Sequence, residues 1–210
     1  MKNIAIFVSG GGSNFKAIFK NIAKGNIPAK ICLVVSNNPK CGAIDFANKN
    51  LLPTLIINKF RYPEAKHRES LLINKLKSLN LDLICLAGYL KKIPNSIVNY
   101  YKNKIINIHP SLLPEFGGKG FYGMKVHNAV IQSKKKITGA TVHFVDGKYD
   151  NGPIIIQEKI IIDNKDDVIT LAKKVLEIEH NIYVKAIKAF CEGRIFWENN
   201  KPLIGVEIEN

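Results

Sequence analysis

Apolar residues in the first half of the chain gather into short unbroken runs, at residues 4–8, 31–36, 54–57, 83–87 and 105–108, with Ile, Val and Leu dominant. Runs this short and this apolar, bounded by glycine or polar residues, predict strands covered on both faces. Residues 14–24, 43–50, 64–80 and 94–101 lie between them and carry apolar positions at helical spacing. Strand and helix in alternation predict an α/β fold, a mostly parallel, doubly wound sheet with right-handed crossovers. After Pro114 the pattern changes. A glycine-rich loop at 115–123 leads to a helix near 125–133, then to strands at 138–145 and 153–162. The turn at 146–152 joins those strands in an expected antiparallel hairpin. A long helix from about residue 165 to 192, stopped by Gly193, precedes short strands around 195–197 and 203–207. No repeat or linker interrupts the chain. The expectation is a single domain, 1–210, with a Rossmann-like, phosphate-binding half (1–110) followed by a distinct half (111–210).

Composition narrows the class. With 46% hydrophobic and 23% charged residues among 210, the chain has material for a sizeable core. No apolar run is long enough to span a bilayer. The N-terminal run breaks at Gly10-Gly11-Gly12 and reads as a first strand rather than a signal peptide. The cysteines Cys32, Cys41, Cys85 and Cys191 are scattered without a CxxC pair, and Cys32 and Cys85 are expected to be buried. That usage points to a reducing, cytoplasmic compartment. The histidines His67, His109, His127, His143 and His180 show no metal-ligand spacing, so no metal is expected. The net charge of +14 comes almost wholly from lysines spread along the chain, with only Arg61, Arg68 and Arg194 as arginines. Such a spread predicts neither a nucleic-acid nor a membrane partner; it can help to collect anionic substrates. The one dense run, Lys134-Lys135-Lys136, reads as a solvated helix end.

Two segments carry candidate chemistry. Ser9-Gly10-Gly11-Gly12-Ser13-Asn14 follows the first strand and opens the first helix. Glycines allow close backbone approach, and free N–H groups at a helix start favour an anion. Phe15 stands where a dinucleotide fingerprint needs its third glycine, and GK[ST] is absent, so a single phosphate on a smaller ligand suits the loop better. A tight turn with a helix capped by Ser13 or Asn14 is the structural alternative. In Ile105-Ile106-Asn107-Ile108-His109-Pro110, Asn107 and His109 lie two apart on a strand and face the same way. An amide donor beside an imidazole can stabilise a carbonyl oxygen as it becomes negative and deliver a proton. A turn-closing Asn and a core-filling His are the alternative.

Ser9–Asn14, Leu86-Ala87-Gly88-Tyr89, Asn107 through Pro114, and His143-Phe144-Val145 through Asp150-Asn151-Gly152-Pro153 together resemble the phosphoribosylglycinamide formyltransferase family, in family order over nearly the whole chain. Glu179-His180 is a weaker fifth match. The resemblance implies transfer of a formyl group from 10-formyltetrahydrofolate, as co-substrate, to the amine of glycinamide ribonucleotide in purine synthesis, without a metal. It implies Asn107 as donor to the formyl oxygen, His109 as the protonated partner, and Asp150 as the carboxylate that raises the His109 pKa. It implies phosphate binding by Gly12, Ser13 and Asn14, ribose binding by Glu179, and a folate pocket formed by Tyr89, Leu90, Lys91, Lys92 and Ile93 with Asn107. The second half is then the folate and catalytic half. The glycines within residues 117–122 predict a mobile flap. His143 and His180 are expected to be structural.

The sequence departs from the family at Lys91 and Pro63, where well-known members carry Arg, and in Gly10-Gly11-Gly12, where they have Gly-Asn-Gly. Arg61 and Arg68 are then the candidates for the folate tail. A formyltetrahydrofolate hydrolase and a noncatalytic folate or sugar-phosphate binder are the rival readings. The chain begins at its first strand, where hydrolases of this kind carry a regulatory domain. A monomer or weak homodimer is expected.

Overall fold

The computed structural model describes residues 1–206. Strand and helix alternate as β1 (Lys2–Val8), α1 (Ser13–Ala23), β2 (Ala29–Ser36), α2 (Gly42–Lys49), β3 (Thr54–Ile56), α3 (Ala65–Lys77), β4 (Leu83–Leu86), α4 (Asn95–Tyr100) and β5 (Ile105–His109). They continue as α5 (Met124–Gln132), β6 (Ile137–Phe144), β7 (Ile154–Ile161), α6 (Val168–Cys191), β8 (Ile195–Glu198) and β9 (Lys201–Ile204). The first seven strands form a sheet in the order β3-β2-β1-β4-β5-β6-β7, and β8 and β9 pair separately. β1 runs parallel to β2 and to β4, β2 runs parallel to β3, and β6 and β7 are antiparallel, so the α/β class and the hairpin are as expected. Contacts divide the chain into two compact units, residues 1–106 and the residues from Asn107 onward.

In the first unit, Ile4 through Val8 have no exposed surface. Unbroken apolar runs form such strands because helices cover both faces of a parallel sheet. α1 contributes Phe15 and Ile18 to the core, and α2 contributes Ala43, Ile44 and Ala47. The Phe46 ring meets Phe15 and Phe19 edge-on, each with centroids 5.3 Å apart. Burying each such Ile or Phe stabilises the fold by about 1.5–3 kcal/mol.

In the second unit, β6 buries Thr138, Thr141 and His143 among apolar neighbours. Thr141 Oγ1 donates to Ser111 O (2.6 Å) and accepts from Leu113 N (3.1 Å), which ties the segment after β5 to β6. At Gly139 a Cβ would lie 1.9 Å from Glu158 O, so only glycine permits this approach of β6 to β7. Helix α6 starts at Val168, later than the periodicity predicts, because Asp167 caps it: its side chain accepts from Thr170 N, and Thr170 Oγ1 accepts from Asp167 N. Its apolar stripe includes Leu171, Val175, Ile182, Tyr183 and Ile187. Trp197 of β8 stacks on Phe144 at 5.2 Å. Cys32, expected to be buried, is only half-buried, whereas Cys85 is buried. The end of the expected strand at 203–207, Glu207, lies outside the described residues.

Candidate active site

Asn107 and His109 lie two apart on β5, with His109 only 3% exposed. In the second unit they meet Asp150 and one further side chain. His109 Nδ1 lies 3.5 Å from Asp150 Oδ1, and its Nε2 lies 2.8 Å from Phe116 O. A carbonyl oxygen only accepts, so Nε2 carries a hydrogen. Asn107 Nδ2 lies 3.1 Å from His143 Nε2 and 3.4 Å from Asp150 Oδ1. The sequence-predicted trio is therefore brought together.

Asp150 is held there by an uncommon backbone. Its φ of 50° lies in the left-handed region, which Asp tolerates better than most side chains. Its Oδ2 accepts from Gly118 N at 2.9 Å. The turn itself is shaped by Asp146, which accepts from Lys148 N (3.1 Å) and Asn151 Nδ2 (2.6 Å). Asp150 is thus not the residue that closes this turn.

Electrostatics within the cluster oppose one another. Burial lowers the His109 pKa, and neighbouring His143 adds to that; the Asp150 carboxylate and the Phe116 carbonyl push it up without prevailing. Asp150 acts in the expected direction, but burial outweighs it and the net shift is down. For Asp150, burial is the largest influence and pushes upward. The His143 and His109 rings and the Gly118 N–H together hold its pKa below the ordinary value. Asp150 is therefore a carboxylate at neutral pH. On α5, His127 is 5% exposed, and its Nδ1 has no hydrogen-bond partner among the described residues. Burial, with a smaller contribution from His109, takes its pKa down to about 4.

The expected flap is anchored at its start, through Phe116 O on His109 and Gly118 N on Asp150. Gly118, Gly120 and Gly123 have φ of 95°, 100° and 51°. Sequence reasoning missed the Phe116 carbonyl, which no side-chain pattern reveals, and the contact of His143 with Asn107. The available signal was a polar ring on an otherwise apolar strand. Its target could not be read without the register.

The first unit holds the glycine loop and the segment after β4. Gly12 is the α1 N-cap, with φ 73°, and no side chain caps the helix. The cap by Ser13 or Asn14 offered as the alternative does not form, because both already belong to the helix; Ser13 is exposed and Asn14 buried. A Cβ at Gly12 would lie 2.7 Å from Ala43 Cβ, whereas Gly10 and Gly11 border open space. Ser9 Oγ accepts from Leu90 N at 2.9 Å and so joins the loop to the segment after β4. A cavity of about 520 Å³ in this unit is lined by Tyr89, Lys91 and Lys92 together with Phe60, Arg68 and Pro94. Leu90 is 50% exposed and Ile93 is 3% exposed, in the core; neither lines that cavity. Arg68 Nη1 donates to Tyr62 O and Pro63 O, both at 2.6 Å. Glu179 lies on α6, 8% exposed, and is not a surface carboxylate. Among the described residues no group of three His, Cys, Asp or Glu side chains could hold a metal ion. Nor is any helix among the described residues long and apolar enough to cross a membrane.

Residues 2–187 match the formyl transferase family. The chain is 43% identical over 205 residues to the chloroplastic phosphoribosylglycinamide formyltransferase of Arabidopsis thaliana, covering 97% of this chain and 70% of that protein. It is 37% identical over 188 residues to the phosphoribosylglycinamide formyltransferase of Bacillus subtilis, covering 90% and 94%. The crystal structure of glycinamide ribonucleotide transformylase 1 from Symbiobacterium toebii superposes with a TM-score of 0.89 at 33% identity, covering 97% and 94%.

Proposed function

The chain belongs to the formyl transferase family, and from that membership we propose that it moves the formyl group of 10-formyltetrahydrofolate to the amine of glycinamide ribonucleotide. The observation that carries this reading is the convergence of Asn107, His109 and Asp150, with His109 Nδ1 at 3.5 Å from the Asp150 carboxylate. Attack of a neutral amine on a formyl carbon leaves charge on the formyl oxygen. An N–H of Asn107 donates to that oxygen in a site that is largely closed to water, where such a donor is worth most. His109 carries the proton that steadies the oxygen and passes to the departing folate nitrogen, and the proton that the attacking amine sheds restores the balance. Asp150 offsets part of the burial that would strip that proton. The folate supplies only the one-carbon group.

The phosphate of the ribonucleotide goes to Gly12, Ser13 and Asn14, where the start of α1 has no side-chain cap and the preceding Gly10 and Gly11 border open space. Glu179 takes the ribose hydroxyls. Tyr89, Lys91 and Lys92 belong to the folate side, with Leu90 and Ile93 supporting that segment and Asn107 reaching the formyl group. The division of labour is a phosphate-binding first half and a catalytic second half. The protein acts as a monomer or weak homodimer in the cytoplasm, with no nucleic-acid or membrane partner.

An absorbance assay of folate release, run with and without glycinamide ribonucleotide, tests the proposal. Release that needs the amine is the expected outcome. Release in water alone would make the protein a hydrolase, and binding of both ligands without release would make it a binding protein.

A further inference from the structure

His143 is 1% exposed, and both of its ring nitrogens are in contact. Nδ1 lies 2.8 Å from Phe144 O. That oxygen can only accept, so Nδ1 bears the hydrogen, and in the neutral ring Nε2 is left as a lone pair. Nε2 in turn lies 3.1 Å from the Asn107 amide and 3.7 Å from Asp150 Oδ1, the latter beyond hydrogen-bond length. An Asn side chain has two nearly isosteric ends. With a lone pair on Nε2, turning the amide oxygen inward would bring two acceptors face to face in a buried place, which is costly. With the ring neutral, the nitrogen end faces inward.

We propose that His143 is the positioning residue that sets the Asn107 amide: held as the Nδ1–H tautomer by the Phe144 carbonyl, it accepts one amide N–H and keeps the other facing the reacting group. This rests on the transfer reaction proposed above. The second N–H points at Asp150 Oδ1 over 3.4 Å, a long bond that is readily exchanged for the formyl oxygen. Without His143 the amide is free to turn over, and half of its orientations present an oxygen to a developing oxyanion.

The lock extends into the backbone. A Cβ on Gly152 would sit 1.8 Å from Phe144 O, so only glycine leaves that carbonyl where it accepts from His143. Phe144 N donates to Pro153 O at 2.8 Å, which holds the same residue through its other backbone group. The β6–β7 register shifts between Val142 and His143, and a bulge of this kind re-aims a side chain. The stretches His143-Phe144 and Gly152-Pro153 are thus one device, whose output is the orientation of an amide on β5.

The experiment compares His143→Phe and His143→Gln with the wild type, each also in an Asn107→Ala background. His143→Phe is expected to lower kcat by roughly 10²-fold, the scale of losing one oxyanion donor, while KM for both substrates changes little. In His143→Gln a side-chain oxygen stands near the place of Nε2, accepts from Asn107, and should recover about tenfold of that loss. In the Asn107→Ala background His143→Phe should cost far less than it does alone, because the two residues act chiefly through one bond. Independent losses that multiply, or a Gln variant no better than Phe, would overturn the proposal and leave His143 as packing. Nitrogen-15 NMR of the histidines in the folded wild-type protein reads the tautomer without turnover; a hydrogen on Nε2 in the neutral ring also overturns it. Should the wild type transfer no formyl group, the proposed function fails, and the NMR result still decides the lock.

Discussion

His109 is surrounded by acceptors and cut off from water, and these circumstances pull its proton affinity in opposite directions. The net shift is below the ordinary value, with burial the larger influence. If the protonated ring does the chemistry, activity must fade as pH rises through this lowered pKa. Asp150→Asn removes the opposing carboxylate, so the pKa falls further and the alkaline side of the kcat profile moves to lower pH. An unchanged profile would show that Asp150 does not act on His109. His109→Ala is expected to lower kcat by ~10²–10⁴, and Asn107→Ala by ~10²–10³, with far-ultraviolet circular dichroism unchanged. Near-normal turnover in both would remove these side chains from the reaction. Asn107 and His109 were legible because a strand puts alternate residues on one face. The nearness of Asp150 rests on a left-handed backbone in a loop far along the chain, and only the family likeness pointed to it.

Elements were legible where periodicity is strong and less so at their ends. The strands of the first unit appeared with small errors in their bounds, since continuous apolar runs admit few other structures. Helix α6 began later than expected because a reciprocal cap, Asp167 with Thr170, overrides the residues before it. At α1 the N-cap is Gly12, which offers no side-chain cap, so the capped-helix alternative is not what forms. That difference favours phosphate binding, because it leaves the helix start for an external anion. Gly12→Ala tests the element. The new methyl meets Ala43 Cβ at 2.7 Å, and a φ of 73° disfavours any side chain, so the loop must shift. Initial-rate kinetics should show KM for glycinamide ribonucleotide raised by roughly tenfold or more, with KM for the folate close to wild type. That size corresponds to the 1–3 kcal/mol typical of strained backbone. Equal changes in both constants would place the loop elsewhere in the reaction.

For the whole molecule, stability against acid follows from histidines buried without charge. The His127 pKa of about 4 lies below the 6.5 of an exposed histidine. Between those values the unfolded chain binds a proton that the folded protein refuses, so stability falls as pH falls from about 6.5 to about 4. His127 alone accounts for a loss of roughly 3 kcal/mol at most by linkage. His109, also shifted down, adds to the loss in the same direction. The depressed carboxylate of Asp150 acts in a separate, lower window, where its own protonation removes stability as pH drops below 3.8. The net charge of +14 adds self-repulsion that grows with acid, but it is common to wild type and variant. Urea midpoints at pH 7 and pH 4.5 for wild type and His127→Gln therefore isolate the ring. Whatever packing the substitution disturbs at pH 7, the further drop to pH 4.5 should be smaller in the variant, because a side chain that cannot ionise has no proton to refuse. Identical drops would mean that His127 reaches water in the folded protein and that its buried, unpartnered nitrogen is not the source of acid sensitivity.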